Sequence, residues 1–270
     1  MTSKKNAQII TGLGEGEVAP YVFLPGDPDR VPKISAQWDH HEEVARVREY
    51  VVHTGEMNGV RMTAASTGIG APSTAILVEE LANLGSHTFI RIGNSGAIAD
   101  HVELGDYVIS TGAVRDEGTS RTYVAPEYPA VANYEVVQAL VEAARAKQAR
   151  YHTGITVSVD GFYSRNKVYG PDKSLLTMAH GGYEQSWMNQ YARDWKRARV
   201  LNVEMESGVL MTLANLFGLR AGTICTVSDR TPWSSPGQDA LALDTNIKGA
   251  IEIANAAMIA LAGRDAASSR

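Results

Sequence analysis

At 270 residues and 29.1 kDa, with 44% apolar residues, the chain is long enough to bury one substantial core. Its 25 basic and 30 acidic side chains leave a net charge of −5, which excludes a general nucleic-acid surface, since counterion displacement needs a cationic excess. No stretch reaches the ~20 apolar residues of a membrane span, and Met1 to Ile10 lacks a signal-peptide core, so a cytoplasmic protein is expected.

Short β-rich runs alternate with helical patterns along the chain. Strands are expected near 21–25 and 60–66, a helix near 73–84, strands near 88–92 and 106–112, and a helix near 132–147. Then come a strand near 153–158, a helix near 184–197, a strand near 199–204, a helix near 206–217, a strand near 221–227 and a helix near 243–262. This is an α/β layout with one central mixed sheet. The helix near 132–147 has Val136, Val137, Leu140, Val141 and Ala144 on one face and Glu142, Arg145 and Lys147 on the other.

No linker or repeat divides the chain, so one domain over 1–270 is expected, with fraying confined to Arg264–Arg270. Two long irregular stretches, 113–131 and 163–183, have the length of functional loops, and the second is the better lid candidate. The lone Cys225, inside Thr223-Ile224-Cys225-Thr226-Val227, reads as an inert core thiol. The basic run Arg193 to Arg199 reads as a solvated helix face around a buried Trp195.

Three segments carry candidate chemistry. Tyr21 to Pro25 runs into Gly26-Asp27-Pro28-Asp29-Arg30, where a glycine turn, a helix start and an arginine could hold a phosphate, or form an ordinary turn with a solvated Arg30. Arg91 follows Thr88-Phe89-Ile90 and precedes the polar loop Gly93-Asn94-Ser95-Gly96. Its burial demands either a bound oxyanion or a structural salt bridge. Glu204 and Glu206 flank Met205 where a strand ends and a helix begins. Acceptor-only carboxylates there suit a vicinal diol, although Glu206 could instead complement the helix N-terminus.

Together with Arg48-Glu49-Tyr50, Ser66-Thr67-Gly68-Ile69-Gly70, Pro72-Ser73-Thr74, Gly96-Ala97-Ile98 and Phe162-Tyr163, these segments resemble the nucleoside phosphorylase superfamily, most closely its uridine phosphorylase branch. The resemblance implies a mixed sheet forming a distorted barrel flanked by helices, and phosphorolysis of a nucleoside to free base and ribose 1-phosphate. It implies phosphate held by Gly26, Arg30, Arg91 and Asn94, with Arg48 reaching in from a neighbouring subunit of a homohexamer built from dimers. By the same resemblance Thr67, Glu204, Met205 and Glu206 hold the ribose, Phe162 stacks on the base, and Glu49, Ile69 and Ser73 match a potassium site between subunits. No organic cofactor is implied.

The chain departs from the uridine pattern at the base. Asn166 stands where that branch has Gln, and Val168 replaces its arginine, leaving Asn166, Lys167 or Arg165, and Arg230 as donors to a uracil edge. Asp229 matches the purine branch, whose aspartate protonates N7, but the arginine that supports this transfer is replaced by Ala242. The uridine branch's N-terminal histidine is also absent, Gln8 being nearest, which implies tolerance for altered sugars. A pyrimidine substrate is the favoured reading and a purine nucleoside phosphorylase using Asp229 the alternative. A nucleoside hydrolase would not need three phosphate arginines, and a non-catalytic nucleoside-binding protein would yield no ribose 1-phosphate.

Overall fold

A computed structural model describes residues 7–233 and 246–268. In chain order the elements are β1 (Tyr21–Pro25), α1 (Arg30–Ser35), β2 (His40–Val47), β3 (Tyr50–Met57), β4 (Val60–Ala65), α2 (Ala71–Asn83), β5 (Thr88–Ala97) and β6 (Tyr107–Asp116). There follow α3 (Ser120–Tyr123), β7 (Ala130–Val131), α4 (Tyr134–Ala146), β8 (Tyr151–Val159), α5 (Phe162–Arg165), β9 (Lys167–Tyr169) and β10 (Leu175–Thr177). The chain ends with α6 (Tyr191–Arg197), β11 (Asn202–Glu204), α7 (Ser207–Leu216), β12 (Arg220–Arg230) and α8 (Ile247–Ser268).

The sheet is mixed, in the order β11-β8-β6-β12-β5-β1-β4-β3-β2 with β7 beside β6. Because β11 pairs with both β8 and β5, the first five strands of that order close into a ring and the remaining four extend from it. Closure removes the free edges of the ring strands. Helices cover both faces. Ile34 of α1, Val136 and Leu140 of α4, and Ile251 and Met258 of α8 share one core, while Leu77 and Leu81 of α2 join Leu210 and Leu213 of α7 in another. Gly222 lets α4 come close: a Cβ there would stand 2.5 Å from Val136 Cγ1.

Several boundaries differ from expectation for physical reasons. The hairpin β2–β3 was not anticipated, because His40 to Glu43 is polar and exposed and so shows no alternation. The expected helix near 184–197 is a 3₁₀ turn, Ser186–Gln190, followed by the short α6. The tail from Arg264, expected to fray, is helical through Ser268, where Arg264 donates to Glu142 at 2.6 Å and Asp265 accepts from Tyr21 at 2.8 Å and from Arg220. The stretch 113–131 is tied down by buried Arg115, whose guanidinium donates to Ser120 Oγ at 2.9 Å and to the carbonyl of Ala125 at 2.8 Å. Among the described residues no helix is long and apolar enough to cross a membrane.

Candidate active site

The segment Gly93 to Ala97 is strand, not loop. β5 runs to Ala97 because β12 pairs with it on one side, Asn94 opposite Thr226, and β11 caps it on the other. Its glycines answer close approach instead of turning. A Cβ at Gly93 would lie 2.8 Å from Arg91 Nη2, and one at Gly96 would lie 2.8 Å from Asp229 Oδ2. Arg91 is therefore mid-strand, with its guanidinium folded over its own strand.

Arg91 is 4% exposed and paired. Its Nε donates to Glu204 Oε2 at 2.9 Å, and Nη2 meets Glu206 Oε2. The salt bridge weighed as the alternative to an anion thus exists, yet it leaves one donor over. Nη1 is buried and meets no hydrogen-bond partner among the described residues. It faces Gly26, where a Cβ would stand 3.8 Å from it and 4.0 Å from Thr67 Oγ1. Bare glycine backbone, a buried unsatisfied guanidinium nitrogen and a hydroxyl make a cradle suited to an oxyanion.

The two carboxylates are fixed by backbone. Glu204 accepts from the N–H of Glu206 at 2.8 Å and of Ser207 at 2.9 Å, so it caps α7. Glu206 sits at the N-cap position but makes no side-chain cap bond. Its carboxylate turns away to accept the N–H of Gly70, ahead of α2. Glu204 thus supplies the side-chain bonds at the start of α7, while the Glu206 carboxylate binds the N-cap of α2. Burial opposes the Arg91 charge, but Glu206 and Glu204 outweigh it and hold the pKa above its ordinary value. Burial pushes the Glu206 carboxyl up, Arg91 draws it down, and Glu204 pushes it up again, leaving it raised.

Ser158 was missed by sequence reasoning. It donates to Glu204 Oε1 and accepts the N–H of Gly208 at 2.7 Å, locking β8, β11 and α7 together. The available signal was a serine at a position of Thr156-Val157-Ser158-Val159 that a barrel strand buries. Cys225 lies under the same cluster, its thiol pushed up to about 12 by burial, as expected of an inert core residue.

The remaining predicted residues fall into three places. Arg30 opens α1 and is 4% exposed, but α1 has only six residues, so little helix-terminus field adds to its charge. Thr67 is fully buried, donating to Gly68 O at 2.9 Å, while Met205 is half-buried and Asn94 is more exposed than Ser95. Arg48 stands apart at the exposed tip of the β2–β3 hairpin with φ of 54°, and Gln8 accepts from Asn83 Nδ2 at 3.2 Å at the end of α2. Glu49, next to Arg48, packs its side chain against Gly68, which Ser73 Oγ also approaches, and Ile69 beside it is exposed. No cluster of three His, Cys, Asp or Glu that could hold a metal ion occurs among the described residues.

The third group surrounds Phe162, whose ring stands 6.0 Å from that of Trp233. Asn166 Nδ2 donates to Phe162 O at 2.9 Å, and Lys167 pairs with Glu184. Arg165 is held by Asp116 at 3.1 Å and lies 4.6 Å from the ring centre of Tyr191. Arg230 donates to the carbonyls of Ala99, at 3.0 Å, and Val102, and Asp229 accepts from Ser228 Oγ at 2.8 Å. Loop carbonyls therefore hold the Arg230 guanidinium. Ala242 lies outside the described residues.

A family profile described as the Phosphorylase superfamily matches residues 20–262. The chain belongs to this superfamily. It is 53% identical to a uridine phosphorylase of Thermococcus kodakarensis over 78% of this chain and 73% of that one. It is 39% identical to the Escherichia coli uridine phosphorylase over 83% of this chain and 85% of that one. It is also 41% identical to a guanosine phosphorylase of Halorubrum lacusprofundi over 79% of each chain. Phosphorylase superfamily membership agrees with the closed mixed sheet and with the cradle around Arg91.

Proposed function

We propose that the protein is a nucleoside phosphorylase that cleaves the N-glycosidic bond of a uridine-like nucleoside with inorganic phosphate, giving free base and ribose 1-phosphate. The observation that carries this reading is the buried Nη1 of Arg91, which has no hydrogen-bond partner among the described residues and faces Gly26 while the rest of its guanidinium binds Glu204 and Glu206. One arginine thereby links a place for phosphate to acceptors for the sugar hydroxyls. Uridine phosphorylases among the relatives support the substrate.

In this reading phosphate lies against Gly26, Arg30, Arg91 and Asn94, and Arg48 of a neighbouring subunit completes the site. Thr67, Met205 and the two glutamates orient the ribose. Phosphate attacks the anomeric carbon as the glycosidic bond breaks, and its negative charge stabilises the oxocarbenium character of the sugar. No covalent enzyme intermediate forms. Phe162 stacks on the base and donors near Asn166, Lys167 and Arg230 receive the departing charge, with the segment 163–183 as lid.

The reading extends to a homohexamer built from dimers and to potassium held between subunits by Glu49, Ile69 and Ser73. It includes a cytoplasmic location, with which a single buried thiol accords. A purine substrate is the second reading, favoured by the guanosine phosphorylase relative and by Asp229 lying against Gly96. The deciding experiment incubates the protein with uridine, thymidine, inosine and adenosine, with and without phosphate, and follows base and ribose 1-phosphate. Equal base release without phosphate would overturn the phosphorylase reading.

A further inference from the structure

Lys167 and Glu184 form an ion pair that neither the phosphate cradle nor the sugar carboxylates require. The Lys167 side chain, at the start of β9, is 5% exposed, and Glu184, between the 3₁₀ turns His180–Gly182 and Ser186–Gln190, is 22% exposed. Such a pair recovers little more than its own desolvation, so apolar residues would serve packing as well or better. Burial pushes the Lys167 pKa below its ordinary value.

The backbone of Lys167 adjoins the residues assigned to the base in the reading above. The N–H of Trp233 donates to Lys167 O at 2.8 Å, the Trp233 ring packs on Phe162, and Asn166 next to Lys167 binds Phe162 O. Upstream on the strand that leads to Trp233, Asp229 lies against Gly96, which also touches Val203, the residue before Glu204. A series of contacts along β12 and β11 thus runs from Lys167 and Trp233 to the strand that carries Glu204.

We propose that Lys167 and Glu184 together select the base, admitting nucleosides whose base presents a carbonyl oxygen beside a ring N–H. That is the edge shared by uracil, thymine and the 6-oxopurines. The inference rests on the phosphorolysis reading above and deepens it. An ammonium only donates and an ionised carboxylate only accepts, and pairing sets the two side by side. The carbonyl then receives a proton donor from Lys167 while the ring N–H donates to Glu184. Cytosine and adenine present the reverse edge, with an amino group facing the ammonium and a ring lone pair facing the carboxylate. Both contacts repel, and both protein groups lose a partner.

The test measures kcat/KM for uridine, cytidine, inosine and adenosine, and KM for phosphate, in the wild type, Glu184→Gln and Lys167→Met. The wild type should prefer uridine to cytidine by about 10³-fold or more, as a site built on buried polar groups does. Glu184→Gln, nearly isosteric, offers an amide donor to the cytosine ring nitrogen and should narrow that ratio by at least about tenfold, with KM for phosphate unchanged. Lys167→Met should lower kcat/KM for uridine by about 10–100-fold. An unchanged uridine-to-cytidine ratio in folded Glu184→Gln, with wild-type phosphorolysis intact, overturns the inference and leaves the reaction standing. A parallel loss for every nucleoside together with a raised KM for phosphate also overturns it, because the pair would then be structural. No phosphate-dependent base release by the wild type removes both.

Discussion

Arg91 and Glu204 meet at 2.9 Å inside the barrel, and the same carboxylate accepts the first N–H groups of α7. The arginine that the proposed function assigns to phosphate is thus positioned by the residue it assigns to the sugar, and in that reading the two substrates would share one set of supports.

Replacing Arg91 should have two separable effects. Arg91→Ala leaves Glu204 and Glu206 buried without their cation and should cost about 3–5 kcal/mol of stability, read as a lowered melting temperature. Activity should fall by about 10²–10³-fold or more where the variant remains folded, since charge stabilisation at the reacting centre is lost. Unchanged kcat/KM in Arg91→Ala would remove this residue from the mechanism.

Glu206 sets a pH dependence. Its raised carboxyl binds a proton more tightly in the folded than in the unfolded chain, so the folded state gains stability below the ordinary carboxylate pKa. That contribution is lost as pH rises through the raised value. The ligand-free protein should melt at a lower temperature at about pH 8 than at about pH 5 through this group, and Glu206→Gln should flatten the difference. An equally steep profile in Glu206→Gln would assign the dependence elsewhere.

Arg48 lies in the left-handed conformation at an exposed hairpin tip, and the proposed function has it serve another subunit. Mixing inactive Arg48→Ala with inactive Glu204→Ala should restore partial activity through hybrid sites. Absence of rescue after confirmed subunit exchange would count against sharing.

For the base, Asp229→Asn should retain substantial uridine phosphorolysis, because its carboxylate is engaged by Ser228 at 2.8 Å. Asn166→Ala should lower it by about tenfold or more through loss of the amide proposed to meet the uracil edge, while the backbone N–H of residue 166 keeps the carbonyl of Phe162 paired. Preference for inosine, abolished by Asp229→Asn, would move the assignment to the purine branch.

What could be read from the sequence follows burial pattern. Apolar runs such as Tyr21 to Leu24 and the amphipathic Tyr134 to Ala146 declare their elements, and Arg91, Glu204 and Glu206 stand out as charges in apolar settings. The β2–β3 hairpin was hidden by its polar first strand, and Gly93 to Gly96 read as loop because glycine marks both turns and close approach. The Ser158 lock and the Lys167–Glu184 pair depend on contacts between distant segments, which no local period encodes.

The three-residue strand β11 is the keystone of the ring, pairing on one side with β8 and on the other with β5, which precedes it by many elements in the chain. Such long-range pairing carries a loop-closure cost that must be met before its contacts repay it, so it belongs late in folding. Glu204 rides on that strand. Catalytic competence should consequently arise with the last cooperative step of refolding, and amide exchange across Asn202–Glu204 should report ring opening and loss of the sugar site as one event.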